Sequence, residues 1–172
     1  MKRKLFAALV LVGVLVALPL SPAQASAQAS QTTSSVSLIS NPLTVVGSST
    51  LTRTSSGIAF SLQTTGLTAG DAVTVWWMVA NPDGGVAVLY AAGHVIGDAG
   101  TAGFAGYLPV GDSTGWVMGD DTVLEDALAA TVTLVVRDHG PATADMVDAQ
   151  IHTFDACNTV CHDLQISTHT PS

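Results

Sequence analysis

Apolar and polar side chains alternate with a period of two along most of this chain. Over residues 57–65, Ile58, Phe60 and Leu62 alternate with Ala59, Ser61 and Gln63. Over residues 71–80, Val73, Val75, Trp77 and Val79 share one face, and Thr74, Trp76 and Met78 share the other. Over residues 128–137, Leu128, Ala130, Val132, Leu134 and Val136 point one way, and Thr131, Thr133, Val135 and Arg137 the other. Period two with β-branched residues predicts half-buried strands. Weaker runs of the same kind cover residues 43–54, 86–95, 102–108 and 164–169. Turn-forming clusters separate them: Gly66 to Asp71, Asn81-Pro82-Asp83-Gly84-Gly85, Gly97-Asp98-Ala99-Gly100 and Gly111 to Gly115.

Seven or eight short strands at this spacing predict an all-β domain, a single antiparallel sandwich of immunoglobulin-like or flattened-barrel form. A parallel α/β fold would need helices between the strands, and those runs are missing. The one helical piece expected is residues 143–152, where Ala144, Val147 and Ile151 fall at helical spacing.

The amino terminus breaks the alternation. Lys2, Arg3 and Lys4 precede an apolar run over residues 5–20, which is followed by the small-residue string Ala23-Gln24-Ala25-Ser26-Ala27-Gln28-Ala29. A basic start, an apolar middle and Ala-x-Ala sites make residues 1–29 a secretory signal peptide. The run is shorter than the roughly 20 residues of a spanning helix and Pro19 interrupts it. The expected product is secreted, with residues 30–35 a disordered Ser/Thr/Gln lead-in and residues 36–172 one β domain.

Cleavage changes the charge. Three of the five basic residues leave with the leader, so Arg53 and Arg137 face 13 acidic residues. Such a surface repels phosphate backbones and anionic lipid heads, which argues against nucleic acid and membrane partners. Cations, cationic peptides and neutral glycans remain as extracellular ligands.

Candidate chemistry concentrates in two cysteines and five histidines. In an exported chain, Cys157-Asn158-Thr159-Val160-Cys161 reads as a disulfide that shapes a turn before the last strand. The competing reading is a metal site that joins these thiols to His152, with zinc or copper as the ion. Cys157, Cys161 and His162 also approach a haem-attachment pattern, but with one residue too many between the cysteines. His94 and His139 stand at strand ends and could meet at one rim to hold a metal ion; the simpler expectation for each is a hydrogen bond to backbone.

Arg137-Asp138-His139 holds catalytic residue types, yet successive strand residues face opposite ways, so Asp138 is poorly placed to orient His139. Arg137 is expected to pair with an acidic neighbour or clamp a loop carbonyl. Asp98, Asp112 and Asp120-Asp121 could offer oxygen ligands to calcium, though no known loop spacing is present. Trp76 and Trp77 must face opposite sides of their strand, one entering the core and the other covering the sheet or stacking on a sugar ring. No nucleophile elbow, zinc-protease helix or phosphate-binding glycine loop occurs.

Several stretches resemble a family of exported bacterial proteins without assigned activity: the run Gly66 to Trp77, Ala92-Gly93-His94-Val95-Ile96-Gly97, Phe104 to Leu108, Val135 to Pro141, and Gln150 to Phe154 with the cysteine pair. The resemblance implies a secreted single domain and transfers no catalytic residue. Members of that family often carry further cysteines after the tryptophan strand, where this chain has only Asn81 to Gly85. The function expected is that of a secreted binding or interaction module without catalysis and without a cofactor. The alternative is a histidine-centred copper or zinc protein.

Overall fold

A computed structural model describes residues 29–119 and 123–171 of the chain. Of the expected leader, Ala29 alone is among them, and Asp120 and Asp121 lie outside the described residues. The elements run β1 Ser30–Leu38, β2 Val45–Thr54, β3 Gly57–Thr64, β4 Asp71–Ala80, β5 Val86–Val95, β6 Ala102–Pro109, β7 Trp116–Gly119, β8 Thr131–Pro141, α1 Val147–Gln150 and β9 His162–His169. Among the described residues, no helix is long and apolar enough to cross a membrane.

The antiparallel all-β expectation holds, but among the described residues nine strands form one sheet where a two-sheet sandwich was expected. Their order is β6-β3-β2-β1-β9-β8-β4-β5-β7, and the sheet curls into a half-barrel. The reason is β1. Residues 30–35, expected as a disordered lead-in, are its first six residues and pair with β2 from Ser30↔Arg53 onward. The end of β1 then pairs with β9 through Ser37↔Ile166 and Leu38↔Gln165. That short join makes two half-sheets continuous.

Two further corrections concern small elements. β7 spans only four residues, too few for alternation to show. The helix expected over residues 143–152 shrinks to Val147–Gln150, and no side chain caps its start. Its buried residue is the polar Gln150, whose amide donates to the carbonyls of His139 and Pro141.

The concave side holds the core. Leu51, Ile58, Leu62, Val75, Leu89, Val132 and Leu134 are fully buried there, and Phe60 meets Trp77 edge to face at 4.8 Å between ring centroids. The curl brings β6 back toward β5. At Gly106 a Cβ would lie 2.8 Å from Phe60 Cε1 and 3.1 Å from the Ala91 carbonyl, so a side chain there would have to push Phe60 aside.

The core also contains a polar stripe along β2 and β9. Ser49 Oγ lies 2.6 Å from Ser167 Oγ and 2.7 Å from His169 Nε2, and Thr32 Oγ1 lies 2.9 Å from His169 Nδ1. These bonds link β1, β2 and β9 where β1 and β9 have parted. Buried Arg53 extends the stripe. It donates to the carbonyls of Ala127, Ala130 and His169, pinning the loop over residues 123–130. Burial lowers the pKa of Arg53, and burial together with the Arg53 charge lowers that of His169.

Candidate functional site

The convex face carries the groups with chemical interest. On β4, Thr74 and Trp76 point outward, away from Val73, Val75 and Trp77 in the core. A bulge on β5 sets Trp76 opposite Tyr90 and Thr74 opposite Gly93. The extra residue keeps Tyr90 and Gly93 on one face although three positions separate them. On β8, Val135 and Arg137 stand opposite Trp76 and Thr74.

A long connection, residues 142–161, folds down onto this row. The Ile151 carbonyl accepts a 2.9 Å hydrogen bond from Tyr90 Oη and sits over Gly93, where a Cβ would lie 2.3 Å from the Ile151 oxygen. Arg137 donates through Nε to the Phe154 carbonyl at 3.0 Å, lies 3.9 Å above the Phe154 ring and pairs with Asp163 across the β8–β9 ladder. It thus fills both roles expected of it, ion pair and carbonyl clamp. Trp76 is 1% exposed, its ring edge-on to both Tyr90 and Phe154. It therefore covers the second face of the sheet while Trp77 enters the core.

Beneath the connection lies His139, with no solvent exposure. Its Nδ1 is 3.1 Å from the Ala156 carbonyl and its Nε2 2.8 Å from Thr74 Oγ1, which in turn receives the Trp76 Nε1 hydrogen at 2.6 Å. A carbonyl only accepts, so Nδ1 carries the proton and Nε2 accepts from the Thr74 hydroxyl. The result is a directed chain from Trp76 to Thr74 to His139 to Ala156. Burial lowers the pKa of His139, so the ring is neutral. Asp138 plays no part in orienting it, since its carboxylate accepts from Gly140 N at 2.7 Å. Burial and the neighbouring Asp138 raise the pKa of Asp71.

Cys157 and Cys161 form the expected disulfide, with 5.4 Å between Cα atoms, and the bridge closes the turn just before β9. Cys161 Sγ lies 3.5 Å from His139 Nδ1. Cys157, Cys161 and His139 each offer a ligand atom, all within 4.8 Å of one another.

The alternative metal groupings of the other histidines do not form among the described residues. His94 stands opposite Val73 and stacks on the core residue Phe104 at 4.6 Å, so it faces inward while His139 faces outward. The two cannot share a metal ion. His152 is exposed, lies 3.3 Å from an Asp148 carboxylate oxygen and tilts against Tyr90, and it is not part of the cluster that the cysteines form with His139. Asp112 accepts from Thr114 N at 2.8 Å, so its carboxylate caps its own turn.

Between the connection and the β5–β7 edge runs a groove of about 520 Å³ lined by Trp76, Tyr90, Val117, Met118, His152, Phe154 and Asp155. A smaller hollow of about 170 Å³, bounded by Met78, Val88, Met118 and Asp163, continues it across β4. Tyr90, Phe154 and Met118 were not singled out from the sequence. Gly93, a glycine inside a strand, was the available signal that something approaches the backbone closely.

The chain matches no protein-family model, no curated protein and no solved structure at a significant level.

Proposed function

We propose that this protein is an exported binding module, without catalysis, that takes a cationic peptide segment into the outer-face groove. The observation that carries the reading is the groove itself. Aromatic and thioether side chains wall it, Asp155 stands at its rim, and a disulfide-braced connection forms one side. Concave, mostly apolar sites with a few polar groups are the usual form of ligand pockets. The sign of the ligand follows from charge. After residue 29 the chain keeps two basic residues against 13 acidic ones, and Phe154 already holds the Arg137 guanidinium on its ring. The disulfide fits a non-reducing compartment, in keeping with the leader.

The test is a nuclear magnetic resonance titration with a capped Arg-Trp-Arg tripeptide and its Glu-Trp-Glu counterpart. The expected result is saturable shifts at Tyr90, Met118 and Phe154 with the cationic peptide alone. Equal shifts with both peptides, or shifts elsewhere only, would overturn the reading.

A further inference from the structure

Independently of the groove, the structure points to a second activity that the disulfide masks. We propose that the reduced chain binds one soft metal ion, zinc(II), cadmium(II) or copper(I), through the thiolates of Cys157 and Cys161 and Nδ1 of His139.

The geometry fits. Metal–sulfur and metal–nitrogen bonds of about 2.3 and 2.1 Å at tetrahedral angles place neighbouring nitrogen and sulfur ligands roughly 3.6 Å apart. His139 Nδ1 and Cys161 Sγ are 3.5 Å apart, and the third ligand atom lies within the same 4.8 Å cluster. Two thiolates and an imidazole are a donor set that selects these ions over calcium or magnesium. A fourth position is left for solvent, which can reach the partly exposed cysteines.

The surroundings of His139 also suit a ligand. A coordinating imidazole directs its other nitrogen at a hydrogen-bond acceptor that fixes the ring. Here Nε2 already faces Thr74 Oγ1 at 2.8 Å. When Nδ1 takes the metal, the Ala156 carbonyl that faces it at 3.1 Å swings aside, the ring proton moves to Nε2 and donates to Thr74 Oγ1, and the Thr74 hydroxyl hydrogen turns away from the ring while its oxygen accepts from both His139 and Trp76.

The redox step balances with a dithiol as reductant. Its thiolate attacks one sulfur, the Cys157–Cys161 bond breaks, both cysteines become thiols, and the dithiol closes to its own disulfide. Metal binding then displaces the two thiol protons to solvent. A freshly exported chain that has not yet oxidised meets the metal in the same dithiol state.

The experiment is an anaerobic cobalt(II) titration of the folded protein, oxidised and phosphine-reduced, followed by absorbance. The reduced protein is expected to bind one equivalent with thiolate-to-cobalt charge-transfer bands, and the oxidised protein none. The Cys157→Ser/Cys161→Ser variant should lose the bands. Thr74→Val, which removes the acceptor behind the ring, should weaken binding by about 10- to 100-fold. Because His139→Gln replaces a buried group and could unfold the protein, the histidine is tested in the unaltered chain by imidazole nitrogen shifts on adding cadmium(II). His139 Nδ1 should move and His152 should not. Cobalt binding no tighter than in the double-serine variant, or unmoved His139 resonances, would overturn the proposal.

Discussion

Two buried histidines occupy opposite faces of the same sheet and are held by different kinds of partner. His169 lies inside the half-barrel, and every group bonded to its ring belongs to a strand: Thr32 on β1 and Ser49 on β2. His139 lies outside. One of its partners, Thr74, is on a strand, but the other, the Ala156 carbonyl, belongs to a connection closed by a disulfide. Both rings are neutral because both are buried. The inner network stands in for backbone pairing lost where β1 and β9 diverge, so it is part of the fold. The outer network positions a covering segment, and beside that segment lie the groove and the thiols.

The inner region should be the more costly to damage. Arg53→Ala removes the donor to three buried carbonyls, each costing about 1 to 3 kcal/mol when orphaned. We expect a loss of about 3 kcal/mol or more in urea unfolding. A loss below about 1 kcal/mol would show that water replaces the guanidinium and that the inner stripe is not structural.

The outer region should tolerate the removal of its cross-link. With a five-residue loop, the Cys157→Ser/Cys161→Ser variant should lose roughly 2 kcal/mol by loop-entropy reasoning. The sheet should stay folded, with amide shifts confined to the connection and the Thr74, Trp76 and Tyr90 row. Shifts spreading to Ser49 and Ser167 would erase the distinction between the regions.

Acid should act on both. A histidine with a depressed folded pKa binds protons more readily in the unfolded chain. Its contribution is therefore complete above about pH 6.5 and falls as pH drops below that value, by up to about 1.4 kcal/mol per unit for each ring. Unfolding of the wild type between pH 7 and 5 should show this decline. His139→Gln, compared only once circular dichroism shows an intact sheet, should remove about half of the slope and leave the part due to His169. An unchanged slope would mean that His139 is not the buried neutral base described here.

The two regions were not equally legible in the sequence. β4 could be read to the residue because apolar Val73, Val75, Trp77 and Val79 line one face without interruption. β1 escaped because its half-buried inward positions are Ser30, Thr32 and Ser34, which meet a stripe of polar groups in place of a core. Alternation of apolar and polar side chains cannot report a strand whose two faces are both polar. Without β1, the remaining strands read as two sheets, hence the expected sandwich. The disulfide and the work of Arg137 followed from residue type and context. The His139 cluster did not, because Thr74, Cys157 and His139 are distant in sequence and only the β4–β8 pairing and the docked connection bring them together. His94 misled for the converse reason: residue type suggested a ligand, but its register opposite Val73 turns it inward.

The central claim is that the docked connection builds the binding groove on the outer face. Gly93 tests it, because a methyl group there would press to 2.3 Å from the Ile151 carbonyl and force the connection away. The decisive measurement is calorimetric titration of the capped Arg-Trp-Arg peptide into oxidised wild type and into Gly93→Ala, both checked for an intact sheet. The account predicts saturable heat with the wild type and at least a tenfold weaker affinity with the variant, a loss of about 1.4 kcal/mol. Equal affinities, or no saturable heat with either protein, would contradict it.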